Sequence, residues 1–580
     1  MKQSPPDPKT ASSRASVLDQ GSSLLETHHR EEKMKMTKCL ILCLVLLCGA
    51  AVLGAQAPQW QWAVKAGGMG WNEGHSIAID SQGNQYVTGH FQGTATFGSY
   101  TLTASGRTDV FVAKLDPSGD WLWAVKAGGT RDEIGRGIIL DDAGNSWVTG
   151  YFTGTATFGS QTLTSSGRTD VFVARLDPSG NWLWAVKAGG TEFDKGHDIA
   201  VDNAGNAWVT GYFTGTATFG NQTLTSSGEE DIFVARLGPS GNWLWTFQAG
   251  GTGWDEGYSI VLDEAGDAWL TGYFSNTATF GCQTLTSSGR TDIFVAKLNP
   301  SGNWLWAVQA GGIDYEFAYS IALDKAGNAW VTGYFGGTIY FDSIYLMFNG
   351  GADVFVARLD PSGKWLWAVN AGGTSYECGY SIALDGACNA WVTGYFMDTA
   401  TFGNQTLNSE GMEDIFIARL DPSGNWLWAV QAGGTDIDYV YDIAVDDSGN
   451  AWVTGYFYET ATFGIHTLTA SGESDIFVAK LGSGTPVEDD LALQAVARLH
   501  NAYPNPLHRG ASALIKADIP ERSSGTLSIF NLRGQVVARH KLSSGLQQIS
   551  FSGQGLPAGV YLYSLQCGDY RETRKLVLLK

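Results

Sequence analysis

Short segments of alternating apolar and polar residues recur along most of the chain with a fixed period of 61 residues. β-branched and aromatic residues dominate these segments, and turns rich in Gly, Asn, Asp and Pro separate them, as expected for strands. In the second period the segments are WLWAVKA at 121–127, GIILD at 137–141, SWVTGYF at 146–152 and DVFVARL at 170–176. The pattern predicts four antiparallel strands per period and an all-β fold.

The order of the segments along the chain predicts the architecture. The first Trp of a W-x-W pair marks each of seven copies, at residues 60, 121, 182, 243, 304, 365 and 426. Four-stranded repeats that pack radially form a β-propeller. If WLWAVKA is the outermost strand of each repeat, the first copy begins with an outermost strand. The last copy then ends after its third strand and lacks an outermost strand of its own. We therefore predict that residues 58–482 form a seven-bladed β-propeller closed by the N-terminal strand, since closure removes exposed sheet edges.

The N-terminal residues have the pattern of an export signal. Residues 36–57 contain a Lys, an apolar run of about 15 residues and small residues at the end, which is typical of a secretory signal peptide. This run is shorter than the roughly 20 residues that a bilayer core requires, so we expect no transmembrane span in the mature chain. A single-span anchor is the alternative. The polar residues 1–35 do not belong before such a leader, which favours translation from Met34 or Met36.

Composition excludes several classes of function. The formal net charge of −21, without a dense basic stripe, opposes binding to nucleic acid. The cysteines outside the leader have neither disulfide-framework nor zinc-site spacing. Nucleophile-elbow, metalloprotease, Walker and dinucleotide-binding motifs are missing, and the histidines are scattered singly. The sequence therefore indicates no catalytic residues, metal or cofactor.

The repeats resemble the bacterial beta-propeller repeat family. Its pattern I-A-x-D-x-x-G-N-x-W-V-T-G is matched by Ile199–Gly211, and its pattern D-x-F-V-A-K-L-D-x-x-G-N-x-x-W is matched less completely by Asp231–Trp243. In the second segment Arg236 replaces the Lys and Gly238 replaces the second Asp. The resemblance implies the fold much more than an activity.

The period fails after Leu481, and residues 483–500 read as a linker. Alternation in residues 501–580 predicts a small Ig-like β-sandwich. This segment resembles the C-terminal sorting domain of proteins exported by the type IX secretion system. The residues that carry the resemblance include Tyr503, Pro504, Asn505, Pro506, Gly559, Tyr561 and Lys580. The resemblance implies the type IX machinery as a partner, and a location outside a Gram-negative cell or on its outer surface.

Differences between the copies are concentrated in the loop that follows each A-G-G and leads to the next innermost strand. The seven loops should emerge on one face of the ring, where the third position is mostly aromatic and the fourth position is acidic in six copies. The candidate ligand-binding residues at these two positions are Trp71, Asn72, Glu133, Phe193, Asp194, Trp254, Asp255, Tyr315, Glu316, Tyr376, Glu377 and Asp438.

Aromatic and acidic side chains together suit a sugar, because sugar rings stack on aromatic faces while hydroxyls bond to carboxylates. Alternatively, each acid bonds backbone amides of its own loop, or the acids bind a cation. We expect a noncatalytic secreted or surface protein that binds a polysaccharide or a surface protein. A carbohydrate-active hydrolase or lyase, using a pair such as Asp255 and Glu316, is the second hypothesis, and a purely structural surface protein is the third.

Overall fold

The computed structural model describes residues 57–482, 498–499, 505–508, 512–519, 524–567 and 570–579. Our predictions for residues 1–35, for residues 36–56 of the leader and for most of the linker lie outside this part of the chain. The chain divides into two compact units, Met1–Gly484 and Thr485–Lys580. All regular secondary structure in the described residues is β-strand, and none of it is a helix that could span a membrane.

Residues 59–482 form four-stranded antiparallel units that follow the sequence period, numbered here 1 to 7 by their innermost strands. The innermost strands are Asn72–Ile79, Glu133–Leu140, Asp194–Val201, Asp255–Leu262, Glu316–Leu323, Glu377–Leu384 and Asp438–Val445. The second strands are Gln85–Phe91, Ser146–Phe152, Ala207–Phe219, Ala268–Phe274, Ala329–Phe335, Ala390–Phe402 and Ala451–Phe463. The third strands are Asp109–Leu115, Asp170–Leu176, Gln222–Leu237, Asp292–Leu298, Asp353–Leu359, Gln405–Leu420 and His466–Gly482. The outer strands of units 1 to 6 are Trp121–Gly129, Trp182–Gly190, Trp243–Gly251, Trp304–Ala310, Trp365–Gly373 and Trp426–Gly434, and that of unit 7 is Gln59–Gly68.

The outer strand of unit 7 comes from the beginning of the described chain. It pairs with the third strand of that unit, with Trp60 opposite Leu481 and Ala66 opposite Ile476. The indole of Trp60 is buried, and Lys65 Nζ lies 2.8 Å from a carboxylate oxygen of Asp475. Unit 7 therefore combines strands that are about 400 residues apart in sequence.

Neighbouring units are joined by their innermost strands and by a Thr-rich hairpin between the second and third strands. Each innermost strand contacts those of the units before and after it, and that of unit 7 contacts that of unit 1. The hairpin also pairs with the outer strand of the preceding unit, so that Ala156 of unit 2 lies opposite Gly129 of unit 1. The hairpin strands that are separate elements are Thr94–Phe97, Tyr100–Thr103, Thr155–Phe158, Gln161–Thr164, Thr277–Phe280, Gln283–Thr286, Ile339–Phe341 and Ile344–Leu346.

The repeated A-G-G sequence is required by close packing where an outer strand meets the next unit. A Cβ atom added to Gly189 would lie 2.7 Å from the Asp170 carboxyl carbon and 2.8 Å from a carboxyl oxygen of Asp194. At Gly190 it would lie 1.7 Å from the backbone carbonyl oxygen of Thr216. Only glycine fits both positions without a shift of the surrounding atoms, which explains their recurrence in every copy.

The C-terminal compact unit contains two antiparallel sheets. One sheet comprises Arg498–Leu499, Ser512–Ile519 and Gly545–Ser552, and the other comprises Val536–Leu542, Gly525–Asn531, Gly559–Cys567 and Tyr570–Leu578. Apolar side chains of both sheets, including Ile515 and Ile529, form one buried core. This arrangement agrees with the alternating pattern of the sequence.

Candidate functional site

The loops after A-G-G present large aromatic side chains to solvent at their third position. Five of these side chains are between 39% and 57% exposed, namely Trp71, Phe193, Trp254, Tyr315 and Tyr376. The corresponding residues of the other two copies are Asp132 and Ile437. Exposed aromatic residues at one loop position provide apolar surface that the folded units themselves do not cover.

Short backbone bridges fix these loops against the preceding unit. Phe193 forms a parallel bridge with Thr169, which directly precedes the third strand of unit 2, and Trp254 forms one with Glu230, which lies within the third strand of unit 3. Tyr315 and Tyr376 make the same kind of bridge with Thr291 and Ala352. The aromatic side chains are therefore carried on loops whose backbone is anchored at each unit boundary.

The acidic residues at the fourth position are fully buried. A carboxylate oxygen of each accepts a hydrogen bond from the backbone N–H of the second glycine of A-G-G, at 2.6–3.0 Å. The six residues are Glu133, Asp194, Asp255, Glu316, Glu377 and Asp438. They do not lie on the surface beside the aromatic residues, so the alternative in which each acid stabilises its own loop describes their geometry.

The first copy has an amide at the same place. Asn72 is also fully buried, and its Nδ2 donates hydrogen bonds of 2.8 Å to the carbonyl oxygens of Gly70 and Ser474. An uncharged side chain therefore satisfies this position by hydrogen bonding alone.

Burial strongly perturbs the fourth-position acids. Desolvation, aided by the nearby Asp109 carboxylate, raises the pKa of Glu133 to about 8. For the same reason burial raises the pKa of Asp438 to about 8, with Asp414 contributing. The second carboxyl oxygens of Glu133 and Asp438 have no hydrogen-bond partner in the described residues. These groups are largely protonated at neutral pH, which makes them poor ligands for a cation.

A bulge in every innermost strand redirects one side chain into a common cavity. In unit 1 Gly74 pairs with Gly89 and Ser76 pairs with Thr88, so His75 is the additional residue. The same shift occurs in the other six units. The bulged residues are His75, Arg136, His197, Tyr258, Tyr319, Tyr380 and Tyr441, and all seven line one cavity of about 370 Å³.

This central cavity is asymmetric. The four tyrosines pack as successive ring contacts, with centroid distances of 4.9 Å from Tyr258 to Tyr319 and 5.6 Å from Tyr380 to Tyr441. The rest of the lining includes the bulged residues of units 1, 2 and 3, which are His75, Arg136 and His197. Lys195 of unit 3 also lines the cavity. One side of the cavity is thus aromatic, and the other carries two cations, Arg136 and Lys195, with the carboxyl of Glu256 also in the lining.

Hydrogen bonds define the tautomers of the two buried histidines in unit 1. Arg136 Nη1 lies 3.4 Å from Nδ1 of His75, and Nε2 of His75 lies 3.1 Å from Nδ1 of His90. Because a guanidinium only donates, His75 accepts at Nδ1 and donates from Nε2 to His90. Burial and the Arg136 charge lower the pKa of both histidines, so both are neutral at physiological pH.

The same histidines belong to a possible metal-ligand group. Ligand atoms of Glu73, His75 and His90 lie within 4.8 Å of one another, a combination that divalent transition metals accept. However, the Arg136 guanidinium contacts His75 directly, and a permanent positive charge at that distance opposes a cation. The Arg136 charge therefore counts against a metal ion at this group.

A second cavity of about 620 Å³, called here the basic groove, opens across units 1 to 3. Its aromatic lining includes Trp71, Tyr151 and Phe193, and Lys195 lines both this groove and the central cavity. The cationic residues of the groove are Arg107, Arg131, Arg168 and Lys195. Two of the predicted site residues, Trp71 and Phe193, therefore lie in a concave site.

The remaining predicted residues are distributed differently. Trp254 is the most exposed tryptophan and lies outside both cavities, while Tyr315, Tyr376 and Glu377 line a third cavity of about 370 Å³ over units 5 and 6. Asp255 and Glu316, suggested as a catalytic pair, are buried at the starts of the innermost strands of two different units and line none of these cavities. Their burial argues against that pair as hydrolytic carboxyls.

Sequence reasoning missed the basic residues of the groove and the central cavity. They come from separate loops and strands, so no basic stripe is visible along the chain. Comparison of the copies contains the signal, because Arg131 and Lys195 are the only cations at their loop positions and Arg136 is the only Arg or Lys among the bulged residues.

Part of the predicted sorting motif lies in the described residues. The Asn505 side chain donates to the Lys575 carbonyl oxygen at 2.8 Å and accepts from the Val577 N–H at 3.0 Å, so it ties the beginning of the domain to its last strand. Gly559 begins a central strand, in which Tyr561 is buried. Tyr503, Pro504 and Lys580 lie outside the described residues.

Comparison with known families defines the class of protein. Residues 501–579 match the model of the secretion system C-terminal sorting domain, and residues 427–456 match that of the beta-propeller repeat. The chain is thus a protein that is secreted by, or attached to the outer surface of, a Gram-negative bacterium. It carries a beta-propeller repeat and a type IX secretion sorting domain.

Individual relatives are distant. An uncharacterized WD repeat-containing protein of Acanthamoeba polyphaga mimivirus is 25% identical over 68% of this chain, and the regulatory protein FlaEY of Caulobacter vibrioides is 26% identical over 66% of it. The chain covers 36% of the length of each relative. Among solved structures, a fungal alcohol oxidase in complex with copper is 12% identical, with 90% of this chain and 100% of the oxidase covered and a TM-score of 0.37. Likeness at this level does not extend the chemistry of that oxidase to this chain.

Proposed function

We propose that this protein is a noncatalytic saccharide-binding protein outside the cell. We also propose that residues 58–482 form a seven-bladed β-propeller closed by the N-terminal strand, followed by a small Ig-like sandwich. Three features support the closed ring. The N-terminal strand completes unit 7, the innermost strands contact one another in cyclic order, and the hairpin of unit 1 pairs with the outer strand of unit 7 through Ala95 and Gly68.

A buried carboxylate adds to this support. Asp442 of unit 7 accepts hydrogen bonds of 2.8 Å from the hydroxyls of Ser76 in unit 1 and Ser381 in unit 6. One side chain thus joins three units near the axis of the proposed propeller, including the first and the last.

The exposed aromatic residues at the third loop position carry the proposal for the ligand. Their rings offer flat apolar faces that match the apolar faces of sugars, and polar groups of the adjoining loops are available for hydroxyls. Trp71 and Phe193 lie in a groove large enough for several sugar rings, since binding sites for small molecules are commonly about 300–1,000 Å³. A surface protein is the other partner that such a face would suit, with an adhesive role in either case.

Replacing two of the aromatic residues tests this proposal. We expect the purified protein to bind saccharides on a glycan array, and the Trp71→Ala, Trp254→Ala double variant to lose at least about tenfold in affinity, because truncated Trp anchors typically cost about 2 kcal/mol each. Tyr100→Ala is the matched control, because Tyr100 is an exposed aromatic residue of a hairpin strand, outside the variable loops. Equal binding by all three proteins, or no binding by a folded wild type, would refute the proposal.

A carbohydrate-active enzyme is the second candidate, supported by one pair of carboxyls. Glu256 lines the central cavity and accepts a hydrogen bond of 2.6 Å from Tyr273, and burial raises its pKa. Burial and the adjacent Glu256 raise the pKa of Glu230 to about 8, as expected where two neighbouring carboxyls do not ionise together readily. Hydrolysis of a bound glycan that disappears in Glu256→Gln, with binding retained, would favour the enzyme over the noncatalytic protein.

A further inference from the structure

Positive charge is concentrated in one sector of an otherwise acidic chain. Although the formal net charge is −21, units 1 to 3 bring five cations, from loops and from innermost strands, to the basic groove and the adjoining central cavity. These cations are Arg107, Arg131, Arg136, Arg168 and Lys195. The corresponding positions in the remaining units are neutral or acidic, except for Arg290.

Three of these cations differ from the other arginines of the repeats. Arg175 and Arg236 pair with the carboxylates of Asp141 and Asp202 in the turns, where they stabilise the framework. Among the described residues, Arg131, Arg136 and Lys195 have no carboxylate oxygen within 4 Å, although the charge of Glu73 acts on Arg136 and that of Lys195 acts on Glu230 and Glu256. Cations that no carboxylate contacts directly can form charge-assisted hydrogen bonds with an anion that enters the site.

The surroundings of Arg136 and Lys195 favour a negatively charged ligand with apolar faces. Nε of Arg136 is buried without a hydrogen-bond partner, and the Lys195 ammonium lies over the rings of Tyr151 and Tyr212, at 4.9 and 5.5 Å from their centroids. In the groove the Arg168 guanidinium lies 4.9 Å from the ring centroid of Phe193. Cations and aromatic faces thus alternate along a continuous concave surface.

We propose that this surface binds an acidic saccharide, one whose sugar rings bear carboxylates or sulfates. The inference rests on the proposed function and specifies its ligand class. The aromatic residues stack on sugar rings, while Arg131, Arg136 and Lys195 pair with the acidic groups. The overall negative charge of the protein would repel such a polymer elsewhere, so charge also orients the ligand on units 1 to 3.

Binding measurements with defined polymers test this assignment on the full chain. The probes are polygalacturonate for carboxylates, dextran sulfate for sulfates and unmodified dextran as the neutral saccharide. We expect at least one acidic polymer to bind more tightly than dextran, with affinity that falls as salt is raised. In the Arg131→Ala, Lys195→Ala variant that affinity should fall about 100-fold, because two charge-assisted contacts are lost.

The control removes the same charge from another surface. Lys325 and Lys364 are exposed residues of turns in unit 5, so Lys325→Ala with Lys364→Ala should leave the affinity unchanged. Equal losses in both double variants would reveal a general charge effect and overturn the inference. Dextran that binds as tightly as the acidic polymers would overturn it while leaving the proposed saccharide-binding function intact. Failure of the folded wild type to bind any saccharide on the array or in this assay would refute both.

Discussion

A chain without residues 57–68 is expected to lose the folded state of unit 7 and much of the stability of its neighbours. These residues supply the whole outer strand of the unit, including the buried indole of Trp60. Truncating a buried Trp alone typically costs about 3–5 kcal/mol, and the deletion also removes the strand pairing and exposes the edge of the third strand. Thermal or denaturant unfolding followed by Trp fluorescence measures the loss.

A permuted chain provides the matched control for this deletion. In units 1 to 6 a five-residue turn joins the third strand to the outer strand, as in Asp177–Asn181 between Leu176 and Trp182. Placing residues 60–68 after Leu481 through an identical Asp-Pro-Ser-Gly-Asn turn, followed by residues 483–580, should restore the stability. If the deleted chain melts like the wild type, the N-terminal strand is not required for unit 7 and the proposal of a closed ring is wrong.

The strands were predictable from sequence because their signals are local and repeated seven times. The pairing of residues 60–66 with residues 476–481 was also predictable, since it follows from the order of segments and the instability of an unpaired edge. A signal that is repeated in register identifies a strand even where a single copy would be ambiguous, as with the short segment GIILD.

The site was less predictable because loop side chains can face either way. Spacing placed Trp71 and Glu133 on the same kind of loop, but only the packing of Glu133 beside Asp109 and the Gly129 N–H determines that the acid lies inside. The bulge at Arg136 was equally invisible, since a bulge shifts register without changing the repeat length. The variation between copies identified the variable residues, but it did not reveal which of them meet in one cavity.

The buried acids lead to the second prediction of large effect, which concerns pH. The folded-state pKa of Asp438 is about 8 and that of Asp194 is about 7, both well above the usual value near 3.9 of an unfolded Asp. Between the unfolded and folded pKa values the folded state binds more protons than the unfolded state. The contribution of these groups to the free energy of unfolding is therefore complete below about pH 4 and falls as pH rises to about 8.

The turn carboxylates act in the opposite direction. Desolvation by burial opposes ionisation of Asp202, but hydrogen bonds from Asn206 and the Arg236 charge outweigh it and lower the pKa. The stability that Asp202 contributes is therefore present above the unfolded pKa and is lost as acid protonates the carboxylate. For these groups together, we expect stability to be higher in mildly acidic solution than in strongly acidic or alkaline solution.

Replacing Asp438 by Asn should therefore raise the free energy of unfolding at pH 9, by about 1–3 kcal/mol, and change it little at pH 4.5. The amide fits, since Asn72 occupies the equivalent position, and its oxygen can accept the N–H of Gly434 as the carboxylate does. Asp202→Asn is the control of opposite sign, because it removes the ion pair with Arg236 and should destabilise the protein at pH 9. Denaturant unfolding at the two pH values measures both changes. A loss of stability in Asp438→Asn at pH 9 would mean that this acid is ionised in the folded state and stabilises its loop as a charge. A gain confined to high pH would instead identify the fourth-position acids as buried, protonated groups, which confer stability only while they remain uncharged.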